Sequence, residues 1–193
     1  MPLDNHQMSP ADVRRLLDVL KQRLINQGVQ AQIHIIGGSA MALLFPDDRE
    51  TRLTQDIDAA VHPLPAVRRA VEQIAEEMNL SPTWLNANGS PFVPPRSGSG
   101  ASEVGVTVTV ASIDELIAMK LAASRHQDLF DLGILARHAG ITDPERLVEI
   151  AFDAYGEDSV ILSDSREDYL AMAHDALEGA ARRANRRSAP RSN

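Results

Sequence analysis

The chain has 193 residues, 44% of them hydrophobic, enough for one large or two small cores. It contains no cysteine, which excludes a disulfide framework and a thiolate zinc site. No apolar run approaches the ~20 residues of a membrane span, so a cytoplasmic protein without a membrane partner is expected. The net charge of −8 is unevenly spread, because residues 182–193 hold five arginines and no acid.

Taken in order, Ser9-Pro10 reads as the N-cap and first residue of a helix to about Gln27, with Val13, Leu16, Leu17, Leu20 and Leu24 on its apolar stripe. Ala31 to Ile36 follows as a buried strand, Gly37-Gly38-Ser39 as a strand-to-helix turn, and Ala40 to Phe45 as a short apolar helix. Residues 56–62 form a second strand. Pro65 opens a helix through Glu77 that must pack through Val67, Val71 and Ile74.

Residues 86–102 are rich in Asn, Gly, Pro and Ser and form a loop. Trp84 or Phe92 beside it could stack on a base, although a lone Trp next to Leu85 is more often a core anchor. A strand over 104–110 precedes Ser112-Ile-Asp-Glu115, whose capping-box form starts a helix near 113. Asp128 fits the N-cap of a next helix over 129–138, with Asp131 in its first turn. Further helices are expected at 143–155 and 164–181.

This order gives an α/β class: a head over 1–112 with a small mixed sheet flanked by helices, then a helical region over 113–181 packed on it. Residues 182–193, poor in apolar side chains, are expected to be a disordered basic tail. Such a tail attracts RNA phosphates through counterion release, but a solubilising role is the plainer expectation.

The chemistry concentrates between residues 36 and 58. Residues without bulky side chains at Gly37, Gly38 and Ser39 let backbone N–H groups approach an anion, and a helix N-terminus adds partial positive charge. Asp56 and Asp58 stand two apart on a strand, so both carboxylates point to one face. Convergent carboxylates suit Mg²⁺, which is commonly held by one or two of them together with substrate phosphates. Arg49 and Arg52 stand in the intervening loop, and the Thr54 hydroxyl is placed to meet a triphosphate oxygen. A DxD alone is a weak signal; the glycine turn ahead of it sharpens the expectation of nucleotidyl transfer.

Lys120 is the other candidate. Leu116, Lys120, Ala123 and Gln127 share a helix face, which sets the ammonium among apolar neighbours, where it needs an anion or a route to water. In an unbroken helix Asp131 would lie roughly 16 Å beyond Lys120. The two can share a site only if the chain bends near residues 125–127. The six histidines show no ligand spacing, and His34 is expected to pack in the core.

On the glycine turn, Arg52, Thr54, Asp56, Asp58, the Lys120 block over 114–132 and the segment Trp84-Leu-Asn, the chain resembles the nucleotidyltransferase superfamily with the DNA polymerase beta-like fold. Within it, the chain resembles bacterial AbiEii-type toxins or a related uncharacterised branch. The resemblance implies that Gly37, Gly38, Ser39, Arg52 and Thr54 bind an NTP and that Asp56 and Asp58 bind Mg²⁺. Lys120 and Asp131 then complete the catalytic set, Lys120 on a nucleotide phosphate.

It further implies an acceptor such as tRNA or other RNA, and a cognate antitoxin as partner. The superfamily usually adds a third carboxylate from a later strand, yet the run VGVTVTV over 104–110 has none, leaving Glu103, Asp128 or Asp131 as substitutes. Two other functions stay open. One is transfer to a protein or small molecule, and the other is a non-catalytic module binding a nucleotide or partner.

Overall fold

The computed structural model describes residues 7–95 and 105–188, so Glu103 lies outside the described residues. These fold into two compact units. The first is made by the chain up to Val93 together with Gly105 to Ala111, and the second starts at Ser112.

In the first unit α1 (Pro10–Asn26) is followed by β1 (Ala31–Ile35), α2 (Gly37–Leu44), β2 (Ile57–His62), α3 (Leu64–Met78), β3 (Leu85–Asn86) and β4 (Val106–Val110). The sheet order is β3-β2-β1-β4. β1 runs antiparallel to β2 and parallel to β4, and β2 runs parallel to β3. The sheet is therefore mixed, as expected.

Local sequence explains the elements. Ser9 caps α1 in a full capping box with Asp12, and all five predicted stripe residues of α1 are buried. Along β1 the residues Ala31, Ile33 and Ile35 are buried while Gln32 and His34 turn to the other face. His34 is half-buried, not a core residue, and its Nδ1 lies 2.8 Å from Thr109 Oγ1 on β4. α3 buries Val67, Val71 and Ile74. α1 and α3 lie side by side, joined by the Arg23–Glu77 ion pair and a 2.9 Å bond from Gln27 to Gln73.

Trp84 is a core anchor. It is 2% exposed, and its indole N–H donates to Val71 O at 3.1 Å. A buried indole with a satisfied N–H presents no open face to a base. The loop after it is shorter than expected, since β3 already takes Asn86 and a 3-10 turn covers Ser90–Phe92.

The second unit is helical: α4 (Ile113–Ala123), α5 (His126–Ala139), α6 (Pro144–Tyr155) and α7 (Arg166–Ser188). α4 packs on α5 and α6, and α7 packs on α5 and α6. Ser112 and Glu115 form the predicted capping box, and Asp143 caps α6 by accepting from Glu145 N at 3.0 Å.

Two expectations are corrected here. Residues 182–188, expected to be disordered, continue α7, because Arg183 places its guanidinium 4.2 Å from the centre of the Phe130 ring and Arg182 pairs with Glu178 one turn back. Asp128 is not an N-cap. Arg125 occupies that position without a side-chain cap bond, and Asp128 sits in the first turn with its carboxylate turned to Lys120.

Candidate active site

The end of β1 delivers the chain into α2 without a loop. Ile36 is the N-cap and gives no side-chain cap bond, so Gly37, Gly38 and Ser39 are the first three helical residues instead of a turn ahead of the helix. Their N–H groups have no acceptor within the helix. An uncapped helix start with such small residues is a place where an anion can meet backbone donors and the positive end of the helix dipole.

Gly37 adopts φ +63°, a left-handed value that favours glycine. The neighbour it faces is Asp58: a Cβ on Gly37 would lie 2.9 Å from Asp58 Oδ2. Ile36 N also donates to Asp58 O at 2.9 Å, which ties the start of α2 to β2. Gly38 faces Thr54, whose Oγ1 would be 4.0 Å from a Cβ there.

Asp56 precedes β2 and Asp58 lies within it, with Ile57 between them turned into the core. The period of two therefore places the carboxylates on the less buried face of the sheet, both half-buried. The backbone carbonyl of Asp56 is gripped twice, by Ser39 Oγ at 2.9 Å and by Thr54 Oγ1 at 2.6 Å. Both hydroxyl protons are thus directed at the strand that carries the acids. Thr54 is itself pinned by Met8, whose N donates to Thr54 O at 2.6 Å. Arg52 is exposed two residues earlier on the same loop.

One neighbour of the acids was not singled out from sequence. Asn86 donates from Nδ2 to Asp56 Oδ2 at 2.8 Å, and on β3 it lies directly beside Asp58. Its only signal in the sequence was the Trp84-Leu-Asn segment.

Lys120, Asp128 and Asp131 form a second cluster, within the helical unit. α4 ends at Ala123 and Ser124 takes φ +50°, so the chain bends and α5 folds back beside α4. That bend brings Asp131 to Lys120: Nζ lies 2.7 Å from Asp131 Oδ2 and 2.8 Å from Asp128 Oδ1. Arg125 Nε adds a 2.7 Å bond to Asp128 Oδ2. The three interior members are buried, and the two cations balance the two anions. A buried charge is tolerated only in such company.

Among the described residues no group of three or more His, Cys, Asp or Glu side chains could hold a metal, and β4 carries no acid. The metal-ligand candidates in the sheet are thus two carboxylates, Asp56 and Asp58.

The family described as "Nucleotidyltransferase of unknown function (DUF6036)" matches residues 12–182. No curated protein and no solved structure matches the chain. The match spans both units, and the chain belongs to this nucleotidyltransferase family. It agrees with the resemblance at the level of the superfamily. No helix among the described residues is long and apolar enough to cross a membrane.

Proposed function

We propose that this nucleotidyltransferase moves a nucleotide from an Mg²⁺-bound NTP to an acceptor hydroxyl where the N-terminus of α2 meets Asp56 and Asp58. The observation that carries the reading is the approach of Asp58 to Gly37. An acid stands at the positive end of a helix, and only a residue without a side chain lets its carboxylate come so close.

The residues fit a magnesium ion. Asp56 and Asp58 are hard oxygen ligands on one face, and a Cβ at Gly37 would press on the Asp58 carboxylate. Two carboxylates with phosphate oxygens and waters are a common set for Mg²⁺. Bound there, the ion would offset phosphate charge and lower the pKa of the attacking hydroxyl.

The chain's own part is to bind and orient. The N–H groups opening α2 receive phosphate oxygens, while Ser39 and Thr54 hold the Asp56 backbone so that the carboxylates keep their spacing. The new bond joins the acceptor oxygen to the α-phosphorus, its hydroxyl proton passes to water, and pyrophosphate departs with the electrons of the P–O bond that breaks. In this reading Lys120 and Asp131 serve through the fold, since both carboxylates near Lys120 already take its charge.

RNA, tRNA included, is the acceptor class the reading names. Its support is the arginine-rich end of α7, where Arg186 is exposed. A toxin role with a cognate antitoxin rests on the AbiEii-type resemblance, a warrant from fold alone.

The test is incubation of the protein with Mg²⁺, each radiolabelled NTP in turn and total bacterial RNA, with Asp58→Ala in parallel. Label entering RNA only with the unaltered protein is the expected result. Label on the protein itself would change the acceptor, and transfer persisting in both Asp56→Ala and Asp58→Ala would overturn the site. The two-carboxylate ligand set favours one second reading, a non-catalytic nucleotide-binding member. It is selected if an NTP with Mg²⁺ at a hundredfold its Kd raises stability by about 2.7 kcal/mol while no label is transferred.

A further inference from the structure

Asn86 is held at both ends of its amide. Nδ2 donates to Asp56 Oδ2 at 2.8 Å, and Oδ1 accepts from Asn88 N at 3.0 Å. The second bond decides the first. With its oxygen committed to a backbone donor, the amide must turn its NH₂ toward the carboxylate.

The segment supplying that donor is anchored to the elements that carry the candidate site. Gly89 packs so closely on Ile36, the N-cap of α2, that a Cβ would lie 2.8 Å from Ile36 Cδ1. Ser90 Oγ reaches Ala59 O on β2 at 3.4 Å. The amide is therefore referenced to the start of α2 and to β2 at once, and it occupies the place on β3 directly beside Asp58.

An acid at this place would behave differently. Asp at 86 could keep the bond from Asn88 N–H through one oxygen, but its other oxygen would face Asp56 Oδ2 at hydrogen-bond distance. Two carboxylates so close repel each other and favour a cation between them. The amide donates one bond to Asp56 and adds no charge.

We infer that Asn86 is a positioning residue for the Asp56 carboxylate, and that its amide keeps the site at two carboxylates, a ligand set for the single divalent cation that arrives with an NTP. The inference rests on the function proposed above and adds a residue to it. Partners that orient a metal-ligating carboxylate are typically worth 10–100-fold in metal affinity.

The experiment is a Mn²⁺ titration followed by electron paramagnetic resonance, with and without ATP. It compares the unaltered protein with Asn86→Leu, Asn86→Asp and Asp58→Ala, and the fold of each is checked by thermal unfolding. Asn86→Leu is expected to weaken Mn²⁺ binding in the presence of ATP by about 10–100-fold. Asn86→Asp, which adds a third carboxylate beside Asp56 and Asp58, is expected to strengthen Mn²⁺ binding without nucleotide by at least about tenfold. Should Asn86→Leu fail to fold, Asn86→Asp decides alone. Unchanged affinity in the folded Asn86 variants, with Asp58→Ala still deficient, overturns the inference and spares the site. Absence of Mn²⁺ binding by the unaltered protein, with ATP present, overturns both.

Discussion

Asp56 and Asp58 stand half-buried on a sheet face beside an uncapped helix start, whereas Asp128 and Asp131 are 1% and 8% exposed around Lys120. Each pair is two acids at short spacing, and the resemblance placed Asp131, with Lys120, in the catalytic set beside Asp56 and Asp58. The surroundings separate them. Lys120 and Arg125 supply two positive charges within 2.8 Å of the second pair. The first pair has a neutral amide on Asp56 and a side-chain-free residue beside Asp58. In the first site acids stand beside the uncapped start of a helix, and in the second they meet a lysine and an arginine inside the helical unit.

The comparison is broken most sharply at Asp58. Asp58→Ala is expected to lower nucleotide transfer by at least about a thousandfold, roughly 4 kcal/mol of transition-state stabilisation, with little change in unfolding temperature. Radiolabel incorporation and a thermal melt on the same preparation check both halves.

Lys120→Ala should do the reverse and act on stability. Removing the ammonium takes the bonds to Nζ from two buried carboxylates, and breaking a buried pair in this way costs about 3–5 kcal/mol, read from urea unfolding. Lys120→Met with Asp131→Leu should recover much of that loss, because Asp128 keeps Arg125 and the remainder becomes apolar. A Lys120→Met protein of undiminished stability that had lost only transfer would return Lys120 to the phosphate role implied by the resemblance.

Gly37→Ala sharpens the contrast from the backbone side. The left-handed φ alone costs about 1–2 kcal/mol for an L-residue, and the methyl would also press on Asp58 Oδ2. Affinity for NTP should fall together with stability. The smallest expected effect is that of Trp84→Phe, which removes the bond to Val71 O and should cost about 1 kcal/mol in denaturant unfolding, with transfer preserved. Loss of transfer without loss of stability in that variant would mean that the ring meets the nucleotide after all.

Much of the fold could be read along the chain because local rules fixed it. The Ser9 N-cap, the Ser112 capping box and the stripe of α1 all follow from spacing within a few residues. The common face of Asp56 and Asp58 is equally local, since a period of two allows nothing else. The misplacements were also local in origin. Gly37-Gly38-Ser39 looked like a turn because glycines lower helix propensity, yet the tie from Ile36 N to Asp58 O starts the helix there. Asp128 looked like an N-cap because an acid in that place usually is one, and a buried lysine on the preceding helix outcompeted the role.

The sequence by itself determined most of the secondary elements, the pair of acids after a glycine-rich segment, and the expectation of nucleotidyl transfer, because all of these rest on neighbours within a turn or a strand. Only the tertiary structure decided that the bend at Ser124 closes Asp128 and Asp131 onto Lys120, and that β3 sets Asn86 beside Asp58. Those pairings join residues that no local periodicity relates, and burial and charge balance, which select them, exist only once the chain has folded back on itself.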